Sequence, residues 1–199
     1  MDCTIKLKIY WRTNKMTNKI QIKLLSDNAA MPTGAYEESA GYDIYAAETK
    51  VLKPQEKAKI ATDIAVSIPK GYVGLLTSRS GVSSKTHLVV ETGKIDSDFR
   101  GHMTINIKND EQRLDYDSLL NNERLDRNYS DPLVYDINNE KIKNGNPFEI
   151  GNGRNYQINK GDKLAQLIIV PILTGKLTPV EEFSSETARG DKGHGSTGI

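Results

Sequence analysis

The nine residues from Leu164 to Ile172 (LAQLIIVPI) form a nearly continuous apolar run. The run is far shorter than the roughly 20 residues of a membrane span. It is rich in β-branched residues, so it reads as a central strand buried on both faces. Pro171 sits at its end, where a missing N–H is tolerated. The flanking sequence supplies more short strands. Tyr42 to Ala47, Lys57 to Ile68, Gly71 to Thr77 and Met103 to Ile107 carry β-branched and aromatic residues, with Pro54, Pro69 and Gly71 as punctuation. Ser67 to Val73 reads as strand, tight turn, strand. Only Arg79 to Lys85 reads as a helical turn. Many short strands with one buried member predict an all-β fold, a jelly roll or β-barrel.

At 199 residues the chain suits one domain with one large insertion. Hydrophobic residues make up 37%, enough for a core if one segment is poorly buried. A net charge of +1 gives no signal of nucleic-acid or membrane binding. A single cysteine, Cys3, excludes an internal disulfide and a cysteine-rich zinc site, and fits a reducing cytosol. Lys6 and Lys8 interrupt the apolar residues at the N-terminus, which is therefore not read as a signal peptide. Cys3, Ile5, Leu7 and Ile9 alternate as in a strand. A second alternation, Ile20, Ile22 and Leu24, follows Met16, which is an alternative start site. Residues 1–15 are accordingly treated as an N-terminal extension.

Residues 110–155 break the pattern. Acidic residues and asparagines replace the alternation, and Gly145, Pro147, Gly151 and Gly153 mark turns. Leu114, Leu119, Leu120 and Leu125 have the spacing of one short amphipathic helix. Tyr116, Tyr129, Tyr135 and Phe148 give this segment material to pack with. The reading is an inserted, ordered subdomain between two parts of a barrel core, 16–109 and 156–182. An arm, 183–199, follows.

Five stretches carry candidate chemistry. Asp43 lies inside an apolar strand, either capping a turn or directed at a metal or its water shell. Arg79, Ser80 and Gly81 close one strand and open the helical turn; Ser80 is either an ordinary cap or part of an anion site. Gly93 to Gly101 is a glycine-bounded hairpin with Asp96, Asp98 and Phe99. It has too few oxygen ligands for an EF-hand. Asp96 follows Ile95, a buried-type residue, and could orient a water as general base from within a pocket. Gln166 interrupts the central apolar strand, and its amide needs either neighbouring backbone or a polar ligand. Finally, Arg189 to Gly198 (RGDKGHGSTG) intersperses four glycines with phosphate donors Arg189, Ser196 and Thr197, and with the stackable ring of His194. It is either a phosphate-gripping arm or a plain glycine-rich terminus. It is not a P-loop, because no Lys precedes the Ser-Thr pair.

Taken together and in order, AGYDIYAAE, RSGVSSK, GKIDSDFRG, GDKLAQLIIVPI and RGDKGHGSTG resemble the five motifs of the homotrimeric dUTPase family. The resemblance runs from about residue 20 to the C-terminus apart from the insert, and is greatest to staphylococcal phage members. It implies a dUTPase-like jelly-roll β-barrel (a β-clip) with one inserted subdomain and a C-terminal arm, assembled as a homotrimer. Each active site would draw on neighbouring subunits and hydrolyse dUTP to dUMP and pyrophosphate, with Mg²⁺ on the triphosphate. Asp96 would orient the attacking water. Arg79, Ser80, Gly81 and Gln166 would lie along the phosphates, and Asp43 would hold the metal's water shell. Gly93 and Ile95 would read uracil through the hairpin backbone, and Phe99 would pack on the deoxyribose. Arg189, Gly195, Ser196 and Thr197 would close over the γ-phosphate with His194 on the base. Phage members also bind the Stl repressor of pathogenicity islands, which implies a second, protein-binding role involving the insert and the active-site mouth. A dCTP deaminase of the same fold is the alternative, opposed by the complete arm and the Asp96 hairpin.

Two positions depart from the family pattern: Phe99 stands where Tyr is usual, and His194 where Phe is usual. A histidine stacked on the base changes charge near neutral pH. Replacing it, His194→Phe, is expected to flatten the pH dependence of KM for dUTP between about pH 5.5 and 8. Steady-state kinetics across that range check this, and superimposable profiles for the two proteins would refute it.

Overall fold

The computed structural model describes residues 19–34, 36, 38–112, 134–142, 153–187 and 190. In chain order the elements are β1 (Gln21–Leu24), β2 (Tyr42–Tyr45), β3 (Lys50–Leu52), β4 (Lys57–Ser67), β5 (Tyr72–Ser78), α1 (Ser80–Lys85), β6 (Leu88–Val90), β7 (Gly93–Ile95), β8 (Met103–Asn109), β9 (Val134–Tyr135), β10 (Asn155–Ile158) and β11 (Lys163–Pro171). They form three sheets with strand orders β1-β4-β8-β6, β3-β10-β9 and β2-β11-β5-β7. All three sheets supply side chains to one core: Ile60 and Ile105 from the first, Leu52, Tyr156 and Ile158 from the second, Ile44, Leu76, Leu164 and Leu167 from the third. This is the all-β barrel that the alternating runs predict.

Period-two alternation sets the register. On β8, Met103, Ile105, Ile107 and Asn109 point inward. Ile105 lies opposite Ile60 of β4, so two apolar faces meet across the ladder. The β4–β8 register shifts between Ala61 and Ile64. Asp63 takes up the shift with φ 52°. Its carboxylate accepts from Ser26 Oγ at 2.5 Å, and its N–H donates to His102 Nε2 at 3.0 Å. The Thr62 hydroxyl, buried beside it, donates to the Met103 carbonyl. The bulge bends a strand of 11 residues around the core.

The apolar run becomes β11, central in its sheet between β2 and β5. Its burial differs from the expectation of full coverage. Leu164, Ala165 and Leu167 are buried, but Ile168, Ile169 and Val170 are only half-buried within one chain. Beyond it, Leu173, Leu177 and Phe183 are 98%, 95% and 90% exposed. A single chain thus leaves the second half of this strand and the segment after it without an apolar covering.

The insert meets the barrel at a narrow base. Asn109, wholly buried at the end of β8, donates through Nδ2 to the carbonyls of Leu52 at 3.2 Å and Arg154 at 2.8 Å. Its Oδ1 accepts the Glu111 N–H at 3.0 Å. One side chain therefore fastens both feet of the insert. The feet also touch: a Cβ on Gly153 (φ 152°) would come within 2.9 Å of the Gln112 carbonyl oxygen. In the described part of the insert, β9 pairs in parallel with β10. The Tyr135 ring lies 6.3 Å from that of Tyr156, with the Arg154 guanidinium 5.3 Å over Tyr135. Asp136 Oδ1 accepts the N–H groups of Asn138 and Glu140, closing the turn that follows. The expected leucine helix, residues 1–15 and most of the arm lie outside the described residues.

Removing the Asn109 side chain strands two carbonyls and one N–H. Asn109→Ala is expected to cost roughly 2–4 kcal/mol of stability, read as a lower urea midpoint. A loss under about 0.5 kcal/mol would show that water replaces the side chain.

Candidate active site

Strand pairing assembles the first group of site residues. Asp43 on β2 lies opposite Gln166 on β11, and Gln166 lies opposite Thr77 on β5. Arg79 follows two residues later, where β5 hands over to α1. Its Nε donates to Asp43 Oδ1 at 2.7 Å, and its Nη1 to the Lys163 carbonyl at 3.2 Å. The Lys163 ammonium stands 3.1 Å from Asp43 Oδ2 and 5.8 Å from the Tyr45 ring centre. Tyr45 in turn shares a 2.6 Å hydrogen bond with Thr33. Asp43 is 4% exposed. A lone buried carboxylate would cost several kcal/mol, and here two cations flank it. The same hydrogen-bonded and Coulombic contact raises the Lys163 pKa above its ordinary value, helped by Tyr45.

Around this pair the phosphate candidates gather. Arg79 caps α1 without a side-chain capping bond, and Ser80 and Gly81 form its exposed first turn. A Cβ on Gly81 would meet nothing within 4 Å, so the space outside it is open. Gln166 is half-buried, and its side-chain amide has no hydrogen-bond partner among the described residues. The group therefore presents a guanidinium, an ammonium, a hydroxyl and an amide at one end of the sheet, all suited to a polyphosphate. Among the described residues no three acidic, histidine or cysteine side chains cluster as a metal cage. Asp43 Oδ2 is buried against the Lys163 ammonium. The donor set thus fits an ion carried by the substrate's phosphates.

The second group lies elsewhere. β7 runs antiparallel to β5, with Gly93 opposite Leu76 and Ile95 opposite Gly74. Continuing the register puts Asp96 beside Val73, six residues along β5 from Arg79. At about 3.3 Å per residue that is roughly 20 Å. Ile95 is buried, whereas Asp96 is exposed and Phe99 is 43% exposed. The described residues of its own chain leave Asp96 exposed and form no pocket around it. One chain brings Asp43, Arg79, Ser80, Gly81 and Gln166 together and holds Ile95, Asp96 and Phe99 apart from them, with Gly93 between. Arg189, His194, Gly195, Ser196 and Thr197 lie outside the described residues.

Lys163 is the site residue that motif reading missed. It stands in a quoted motif, but only the β2–β11 register, with its shift between Lys163 and Ala165, shows that it reaches Asp43. Arg100 was likewise passed over; its Nη1 donates to the carbonyls of both Ser97 and Phe99 at 2.7 Å.

A family model described as dUTPase matches residues 27–115 and 150–198, so its gap falls within the insert. The deoxyuridine 5'-triphosphate nucleotidohydrolase of Mycobacterium marinum is 31% identical over 92% of this chain and 97% of its own length. The dUTPase of Staphylococcus bacteriophage 80alpha, solved with dUpNHpp and described as controlling transfer of virulence genes, is 53% identical. It superposes with a TM-score of 0.79 over 92% of this chain and 99% of that one. The dUTPase of phage phi11 of S. aureus, a variant of which holds a structural Mg(II) ion, is 55% identical. Its TM-score is 0.72 over 84% of this chain and 100% of that one. The chain belongs to the dUTPase family: it is a dUTP nucleotidohydrolase with that family's homotrimeric β-barrel fold.

Proposed function

We propose that hydrolysis takes place at composite sites, each built from more than one chain. Arg79, Ser80, Gly81 and Gln166 of one chain hold the phosphates. The hairpin of another chain brings the backbone at Gly93 and Ile95 to uracil, the Phe99 ring to the deoxyribose, and Asp96 to the attacking water. The observation that carries this reading is the β5–β7 register, which extended to Asp96 puts it roughly 20 Å from Arg79 along one sheet. The half-buried second half of β11 offers a face for a neighbouring chain.

Within such a site Asp96 accepts a proton from the water as its oxygen bonds to the α-phosphorus. The bond from that phosphorus to the bridging oxygen breaks, and pyrophosphate leaves with the electron pair. Little covalent chemistry is asked of the protein, so positioning and charge neutralisation dominate. Arg79, fixed by Asp43, and Gln166 donate to the phosphate oxygens, where donors count most in a dry site. Mg²⁺, when bound to the triphosphate, neutralises its charge, and Asp43 would hold one of its waters. The arm completes the site, with Arg189, Ser196 and Thr197 on the γ-phosphate, Gly195 allowing close approach and His194 on the base. The relatives named as nucleotidohydrolases favour this chemistry over the deamination of dCTP.

A second role, binding an Stl-type repressor, is supported by the description of the 80alpha enzyme and by the insert's separate base on the barrel. Replacing 113–152 by a short glycine-serine linker keeps Asn109, Glu111 and Arg154 in place. Loss of repressor binding with hydrolysis retained supports recognition by the insert; retention of both assigns recognition to the barrel.

The composite site is tested by mixing two inactive variants. Asp96→Asn and Arg79→Ala are each expected to abolish pyrophosphate release from dUTP. Refolded together, they form mixed trimers in which about one quarter of the sites are intact, and activity returns to that level. Mixed trimers confirmed by native mass spectrometry but without activity would place both residues in one chain's site. Asp43→Asn loosens Arg79 and is expected to lower kcat/KM about 10²–10³-fold. A loss below about threefold would show that Lys163 and the strand hold Arg79 unaided.

A further inference from the structure

The hairpin after β7 carries two groups with demanding geometry, yet little of it is buried. Ser97 is half-buried, and Asp96, Asp98, Phe99 and Arg100 are exposed. Its order comes from three local contacts. The Phe99 N–H donates to the Asp96 carbonyl at 3.1 Å, closing a turn. Arg100 Nη1 reaches back to the carbonyls of Ser97 and Phe99, both at 2.7 Å. The tip of the Phe99 ring packs against Gly101, where a Cβ would come within 2.6 Å of Cζ and 2.8 Å of Cε2. Phenylalanine has no polar atom at its tip, so no hydrogen bond can orient this ring. Backbone shape alone sets its position: the guanidinium fixes the carbonyls around it, and the bare glycine gives it a floor.

We infer that Arg100 and Gly101 are positioning residues for the Phe99 ring, and so determine how strongly the enzyme prefers a deoxyribose over a ribose nucleotide. The inference rests on the reading that Phe99 packs on the sugar. A ring whose tip is seated against Gly101 presents a fixed surface to the sugar and leaves no room for a 2′-hydroxyl. A ring lifted by a methyl group, or carried on a loosened turn, takes up several positions, some of which admit the hydroxyl. Misplacement by about 1 Å can cost two orders of magnitude in a positioned reaction. Arg100 acts on the same ring through the carbonyl of Phe99 itself. Lysine can donate to both carbonyls from one nitrogen, whereas methionine, of similar length, can donate to neither.

The test compares kcat/KM for dUTP and UTP in the full-length enzyme, Gly101→Ala, Arg100→Met and Arg100→Lys, and repeats Gly101→Ala and Arg100→Met in a Phe99→Ala background. Thermal midpoints and trimer mass are recorded for each protein. Gly101→Ala and Arg100→Met are expected to lower the dUTP-to-UTP ratio about tenfold or more, with Arg100→Lys recovering most of it. In the Phe99→Ala background the same changes should leave the ratio unmoved within about twofold, because there is no ring left to misplace. A ratio unchanged in both single variants overturns the inference. So does a fall of equal size with and without the ring, which would mark a general loosening of the hairpin. If Phe99→Ala alone leaves the wild-type ratio intact, the reading that Phe99 faces the sugar fails, and the inference fails with it. A variant that does not assemble is replaced by Gly101→Ser, which brings the same Cβ against the ring with a hydroxyl that can bond to solvent.

Discussion

A buried carboxylate between two cations governs one end of the barrel. Asp43 sits on β2 with Arg79 on one oxygen and Lys163 beside the other. Each cation comes from a different part of the chain, one from the β5–α1 junction and one from the first residue of β11. The three strands that must lie in register for this to happen are the strands that also align Gln166. The charge on Asp43 cannot be left unpaired at that depth, so any arrangement that fails to bring up Arg79 is penalised. A residue that touches no phosphate in this arrangement thus enforces the position of one that can. Stability and site geometry are tied to the same ion pair, and a change at Asp43 cannot affect one without the other.

Much of the barrel was legible in the sequence because burial and periodicity coincide there. Met103, Ile105 and Ile107 alternate and face inward, and the Pro69–Tyr72 turn falls where the punctuation places it, with the Tyr72 N–H donating to the Pro69 carbonyl. The short strands β3, β6 and β9 were not legible, since two or three residues carry no measurable period. The coverage of β11 was misread for a different reason. A continuous apolar run reports that both faces are kept from water, without saying whether the same chain does it. Motif order identified Asp43, Arg79, Ser80, Gly81 and Gln166 as a set. The partners that hold them, Lys163 above all, depend on inter-strand register, which the sequence encodes only through the whole sheet.

The two groups of site residues reflect a geometric limit of a small barrel. The length of β5 separates the Arg79 cluster from the Asp96 hairpin. In the composite site proposed above, chemistry at a junction between chains escapes that limit. It also divides the demands made on each chain: one supplies a rigid ion-paired cradle at a strand end, another an exposed hairpin held by its own backbone. The first is stiffened by the core, and the second by local contacts of Arg100 and Gly101.

The pinched base of the insert has a consequence for how such chains diversify. Because Gln112 and Gly153 are in contact and Asn109 ties the backbone on either side of them, the two ends of the inserted segment are held together by the barrel itself. The entropic cost of closing a loop grows only by about 0.6 kcal/mol for each doubling of its length. With the closure point fixed from outside, segments of very different size and composition can be exchanged at this position with little effect on the strands beneath. The base behaves as a socket, and the surface mounted on it can drift toward new partners while the ion pair at Asp43 goes on being selected for its own reasons.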